Sequence, residues 1–168
     1  MRSSSTDRPA TDILRAELVQ RYRRNRARTR ELFSLLSDDA HYSQPIALRH
    51  PIVFYEGHLP AFSFNTLVKR ALGGASIDAR LEALFARGID PAEPSGGQAP
   101  DQIARQWPPR RDIRAFIDEV DRRVIDAMTN ADIFRAAHPL LDRAEAAFTI
   151  LEHEEMHQET LLYMPGIF

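Results

Sequence analysis

The chain has no cysteine among its 168 residues, which excludes disulfides, a cysteine nucleophile and any thiolate metal site. Sulfur chemistry at this protein would have to use a thiol carried by a substrate. Long apolar runs are also missing. None approaches the roughly 18–20 residues needed to span a bilayer. Residues 1–11, with Ser3, Ser4, Ser5 and Pro9, lack the apolar core of a secretory signal. These absences predict a cytoplasmic protein with no membrane association. An excess of one charge is lacking as well: 22 Lys and Arg stand against 24 Asp and Glu, a formal net charge of −2. There is thus no global attraction to nucleic acid. The arginine-rich run over residues 21–30 has no interleaved aromatic series, and a solvated helix face explains most of its arginines. Strand-like alternation and fixed-period repeats are absent too.

What is present is helical periodicity in a chain long enough for one domain with a sizeable core, 43% of it hydrophobic. Leu14, Leu18, Tyr22, Leu32, Leu35 and Leu36 form a stripe that predicts a helix over residues 12–37, with Thr11 or Asp12 as its N-cap. A mainly apolar segment over 50–72 predicts a second helix, stopped by Gly73-Gly74 and kinked at Pro60 unless the regular helix begins only near His58. Gly57 adds a local irregularity there. A short helix over 77–86 follows, then a loop over 88–110 rich in Pro and Gly. Ile113, Phe116, Ile117, Val120, Val124 and Ile125 predict a third long helix over 111–128. After a connection containing Phe134, a fourth runs over 139–164. The expected fold is all-α: a flexible stretch over 1–10, then a single four-helix bundle over 11–168 with a long Pro/Gly-rich connection between helices 2 and 3.

The chemistry concentrates in Glu152-His153-Glu154-Glu155-Met156-His157-Gln158-Glu159. Ile150, His153, His157, Leu161 and Met164 follow at offsets of three and four, which puts both imidazoles on the apolar face of the last helix. Glu152, Glu155 and Glu159 fall roughly opposite, and Glu154 at the edge. A buried imidazole without a partner costs about 1–3 kcal/mol. Two of them at i, i+4 among glutamates point to a shared metal ion, and hydrogen-bonded core histidines are the plainer alternative. The same residues formally match the H-E-x-x-H of zinc peptidases, but the downstream third ligand is missing: Tyr163 stands where a histidine belongs, and Glu159 is too near. A third ligand must come from upstream, from His41, His50, His58 or His138. His50 and His138 each precede a proline, which favours extended loop backbone. His58, inside the apolar stretch over 54–62, is the best donor.

Gly57-His58-x-x-Ala61-Phe62, followed much later by the run from His153 to Met164, resembles the N-terminal DinB-like domain of the ergothioneine-biosynthesis sulfoxide synthases. Arg26-x-Arg28-Thr29-x-x-Leu32 and Leu36-Ser37-Asp38-Asp39 are similar to that family's first helix and turn. The resemblance spans almost the whole chain. It implies a DinB-like four-helix bundle presenting His58, His153 and His157 to a non-haem Fe(II), with positions left open for O₂ and a thiol. It further implies formation of a carbon–sulfur bond on the imidazole of a histidine-derived betaine, with oxidation of the sulfur. Such enzymes continue into a C-terminal domain related to formylglycine-generating enzymes, which supplies much of the substrate pocket. Because the chain stops at Phe168, the expectation is an iron-dependent oxidoreductase module that binds metal and is inactive alone. In the wider DinB-like superfamily, similar bundles are metal-dependent thiol transferases, isomerases or hydrolases, often dimeric. That reading calls for zinc or nickel. A purely structural bundle pairing with a separate catalytic chain is the third. Around the site, Glu154 is a candidate acceptor for a ligand histidine or an exposed edge residue. Gln158 and Tyr163 either line the site or merely pack and cap, and Arg87 either meets a substrate carboxylate or lies on the surface.

Overall fold

In the computed structural model, residues 7–46, 48–88 and 100–163 are described, and they contain helices and turns but no strand. The first helix, α1 (Asp7–Ser34), begins five residues before the expected start. Residues 1–6 of the stretch expected to be flexible lie outside the described residues. Leu18, Tyr22, Asn25, Arg26, Thr29 and Phe33 recur at three- and four-residue offsets and form its buried stripe. A single turn, α2 (Asp38–His41), follows, with the Ser37 hydroxyl accepting from the Ala40 amide at 3.2 Å.

The next helix, α3 (Ile52–Ser63), is buried at every residue except Phe62. A helix that is apolar all round belongs in the middle of a domain. Pro60, inside it, has no amide hydrogen to donate to the Glu56 carbonyl, and four residues later the chain widens into a π-helical segment, Phe64–Ala71. The kink expected at Pro60 takes this form. Gly73, at φ 71°, then ends the helix, as the Gly73-Gly74 pair predicts. Asp78 caps the short α4 (Ala79–Phe85) by accepting from the amides of Arg80 and Leu81 at 2.9 Å. The connection expected as loop over 88–110 contains a helix of its own, α5 (Pro100–Gln106), and residues 89–99 lie outside the described residues.

The long α6 (Arg110–Asn130) matches its predicted span to within two residues. The last helix, α7 (Glu145–Leu162), starts six residues later than expected, because Arg143 and Ala144 sit at φ 52° and 60° and break the helical path. Residue 164, expected to close this helix, lies with 165–168 outside the described residues. Helix α1 packs against α6 and α7, and α3 with its π segment packs against the same two. The long helices thus form a closed ring, with Tyr22, Phe54, Tyr55, Phe64, Ile113 and Met128 fully buried inside. Among the described residues, no helix is long and apolar enough to cross a membrane.

Arg23, Arg24, Arg28 and Arg30 are exposed, as a solvated helix face predicts, but Arg26 departs from that reading. The Arg26 side chain is only 5% exposed, and it donates to Asp121 of α6 and Glu154 of α7, each at 2.8 Å. Tyr22 and Arg30 also donate to Asp121, and Thr29 donates to Glu154. Burial works against the Arg26 charge, but the carboxylates of Glu154 and Asp121 outweigh it and hold the guanidinium protonated more firmly than usual. Farther along, Arg15 donates to the carbonyls of Met128 and Ala131 at the end of α6, and Arg21 forks onto Glu155. Tertiary contacts, rather than solvent, take up these charges.

Removing Arg26 leaves two buried carboxylates short of a counter-charge. Arg26→Ala is expected to lower stability by about 3–5 kcal/mol. Arg30→Ala, at a side chain 52% exposed, should cost about 1 kcal/mol or less. Urea unfolding of both variants measures the difference.

Candidate metal centre

His58 extends from the middle of α3, while His153 and His157 stand one turn apart on α7, where the two helices pack together. One nitrogen from each ring lies within 4.8 Å of the others. Ring centroids are 5.2 Å apart from His58 to each partner, and 4.5 Å between His153 and His157. Metal–nitrogen bonds of about 2.0–2.1 Å allow ligand nitrogens to be at most about 4.2 Å apart, so small ring rotations complete a shared site.

The Nδ1 of His58 lies 2.7 Å from the Phe85 carbonyl oxygen. A carbonyl only accepts, so Nδ1 carries the proton and Nε2 keeps its lone pair. That Nε2 is buried without a hydrogen-bond partner, as are Nδ1 of His153 and Nδ1 of His157. Leaving each of these nitrogens unpaired costs free energy that a bound cation would recover, so the three rings fit a shared metal ion. Aromatic rings fix the imidazoles laterally. Phe62 stacks on His153 at 3.6 Å with planes 8° apart, and Phe54 stacks on His58 at 4.8 Å.

Burial, together with the neighbouring His157 and His58, pushes the His153 imidazolium down to about 3. Burial and His58 bring His157 to about 4, and burial also lowers His58. All three are therefore neutral donors at physiological pH, the form a divalent cation requires. Neutral imidazoles suit iron, zinc and nickel alike.

Phe85 is a site residue that the sequence reading missed, and Gly57 is the trace it left. A Cβ at Gly57 would come within 2.3 Å of the Phe85 ring. Only glycine lets α4 press that ring onto α3, which brings the Phe85 carbonyl to His58. The irregularity expected at Gly57 is in fact this close approach.

The other sequence candidates fall elsewhere. Glu154 is neither an exposed edge residue nor recorded in contact with the histidines: it is fully buried, and its Oε1 accepts from Arg26 and Thr29. Gln158 is buried and donates to the Asn25 carbonyl and the Thr29 hydroxyl. The buried face of α7 is thus centred on Glu154, His157, Gln158 and Leu161, with His153 half-buried at its margin. Tyr163 is 77% exposed, and Arg87 is exposed. Of the remaining histidines, His41 lies against Glu56, the His50 ring bonds the Gly88 carbonyl, and His138 accepts from the Leu140 amide. Beside the cluster, a cavity of about 520 Å³ opens between the π segment and α4, with His58, Phe62, Asn65 and Lys69 on its walls.

The sequence pattern of the DinB superfamily matches residues 21–161. The chain belongs to the DinB superfamily. Over 134 residues it is 34% identical to ergothioneine biosynthesis protein 1 of Neurospora crassa and 29% identical to the protein of that name from Schizosaccharomyces pombe. Each match covers 77% of this chain, but 15% and 17% of the respective relative, so the chain spans a small part of the curated relatives it matches. The DinB pattern takes in His58, His153 and His157 together with the Arg26 network.

Two outcomes follow for this DinB bundle. Gly57→Ala should displace Phe85, lowering metal affinity by about 10–100-fold and stability by about 1–3 kcal/mol. Chelator competition and urea unfolding read the two effects separately. In the metal-free protein, the histidines protonate near pH 6.5 when unfolded but only near 3 and 4, for His153 and His157, when folded. Between these values the unfolded chain binds more protons, so stability is lost as pH falls below about 6.5. Urea midpoints across pH 4–7 should show this slope, and His153→Ala should flatten it.

Proposed function

We propose that this chain is the Fe(II)-binding helical domain of an ergothioneine-biosynthesis-type sulfoxide synthase, working on a small-molecule thiol and an imidazole-bearing betaine in the cytoplasm. The reading rests on one observation above all: His58, His153 and His157 converge with three buried, unpartnered ring nitrogens in a chain similar to ergothioneine biosynthesis protein 1. When bound, Fe(II) would supply the redox and O₂ chemistry at this site.

The chain's own residues prepare that chemistry. The Phe85 carbonyl fixes the tautomer of His58, so Nε2 is presented as a donor without any rearrangement. Burial keeps all three imidazoles neutral, so protons do not compete for the site near pH 7. Phe62 covers one face of His153 and walls off the cluster from water on that side. Arg26 and Thr29, by gripping Glu154, set the rotation of α7 about its axis and hence the direction of the two histidines flanking that residue. The cavity beside His58 gives a substrate access to the site. The region matched in each relative is 15% or 17% of its length, and groups outside that region are proposed to complete the substrate pocket. By themselves, the 168 residues should hold metal without turning over.

Metal content after anaerobic Fe(II) reconstitution and dialysis tests the reading, with a His153→Ala/His157→Ala double variant alongside. About one iron per chain is expected, and the variant should lose it. Iron-free protein in both samples would sink the proposal. Retention of zinc or nickel but not iron would instead favour a metal-dependent thiol transferase or hydrolase.

A further inference from the structure

Helix α4 presents the Phe85 carbonyl to His58, yet with only 7 residues it is too short to hold its place alone. Phe85 is its last residue, so the carbonyl meets no amide further along the helix and is free to accept from the imidazole. The Phe85 ring against Gly57 sets how closely α4 approaches α3. Apolar contact of this kind lets a helix turn about its own axis, and such a turn would aim the carbonyl away from Nδ1 of His58. A directional contact is needed to fix the rotation.

Glu82, on the same helix as Phe85 and one turn before it, makes that contact. Its side chain is 3% exposed. Oε1 accepts from the Ser76 hydroxyl at 2.8 Å and from the amides of Ile77 and Asp78 at 2.6 and 3.1 Å, all in the chain entering α4. Oε2 accepts from the Lys69 ammonium on the π segment. The side-chain amide of Asn65, on that same segment, reaches the Glu82 backbone carbonyl at 3.5 Å. Burial works against the Glu82 charge, but Lys69, Ser76 and the two amides outweigh it and hold the carboxyl below its usual value. One buried carboxylate thus fastens α4 both to the turn before it and to the π segment across the cavity beside His58.

We propose that Glu82 is a positioning residue for the three-histidine site, acting through Phe85: by fixing the rotation of α4 it aims the Phe85 carbonyl at Nδ1 of His58 and so keeps Nε2 unprotonated for a metal ion. The chain of contacts runs from Lys69 and the turn over 76–78 to Glu82, along α4 to Phe85, and from its carbonyl to His58. It rests on the reading of the cluster as a metal centre, but the tautomer of His58 is a property of the metal-free protein and is set before any ion arrives.

Two readouts on the full chain test this. Imidazole nitrogen NMR shifts of the metal-free protein report which ring nitrogen of His58 carries the proton, and competition with a chromophoric chelator gives the affinity for Zn(II). The unsubstituted protein should show His58 protonated on Nδ1 alone. Glu82→Ala should give a mixture of both tautomers and bind Zn(II) about tenfold more weakly. Glu82→Gln keeps an acceptor for Ser76 and the two amides but loses the charge opposite Lys69, so it should weaken binding by about threefold. Arg15→Ala removes bonds to the far end of α6, and it should unfold at lower urea with the His58 tautomer and Zn(II) affinity unchanged. An unaltered tautomer and affinity in folded Glu82→Ala would make Glu82 a plain structural anchor and overturn the proposal. Should that variant fail to fold, the same result in Glu82→Gln overturns it. If the unsubstituted protein binds no Zn(II) while Glu82→Ala still mixes the tautomers, the metal reading fails and the placing of His58 by Glu82 stands.

Discussion

Arg26 is the residue on which three helices depend. From α1 it reaches Asp121 on α6 and Glu154 on α7, and it does so almost entirely out of water. Desolvating a guanidinium and two carboxylates is costly, and the arrangement holds only because each charge is met by another and by neutral donors. Arg30 supplies the second positive charge at Asp121, Tyr22 adds its hydroxyl there, and Thr29 adds its own at Glu154. Apolar packing tolerates some sliding and rotation of one helix past another, whereas a buried, directional network of this kind penalises both. The network therefore fixes which face of α7 turns inward.

That constraint carries directly to the histidines. Because Glu154 is held against α1, His153 and His157 on either side of it are turned toward α3, where His58 waits. The third imidazole is placed by a separate device: Gly57 admits the Phe85 ring, and the Phe85 carbonyl then locks the proton on the far nitrogen of His58. Two unrelated contacts, an ion-pair network and a glycine-permitted close approach, thus bring the three rings together. Burial depresses the basicity of all three and leaves them as neutral lone-pair donors lacking a partner. The unsatisfied nitrogens are a standing cost in free energy that metal binding would offset.

Helix α3 serves both sides of the bundle. One face carries His58 toward α7 and the cluster, while the other carries Glu56 toward His41 of α2 and Arg110 of α6. A fully buried central helix usually contributes only packing, yet here it places a polar group on each side. Pro60 and the π-helical segment that follows interrupt the regular ladder beyond these two residues. The change of pitch turns Asn65, Thr66 and Lys69 toward the cavity beside His58.

The amino-acid sequence by itself determined the helical class, the positions of the long helices to within about six residues at either end, the stop at Gly73, and the placing of His153 and His157 one turn apart. All of these depend on residues close together in the chain, where periodicity, glycine and proline act locally. His58 was legible as a ligand candidate because an apolar stretch surrounds it. The sequence misjudged the late start of α7, which turns on left-handed backbone at Arg143 and Ala144 with no glycine to announce it. It also could not assign the fate of the charges. Arg26 looked like one solvated arginine among many and Glu154 like an edge residue, and only the packing of α1 against α6 and α7 made them buried partners. The role of Phe85 was hidden for the same reason. A backbone carbonyl carries no sequence signature, and its meeting with His58 across 27 residues exists only once α4 has folded onto α3.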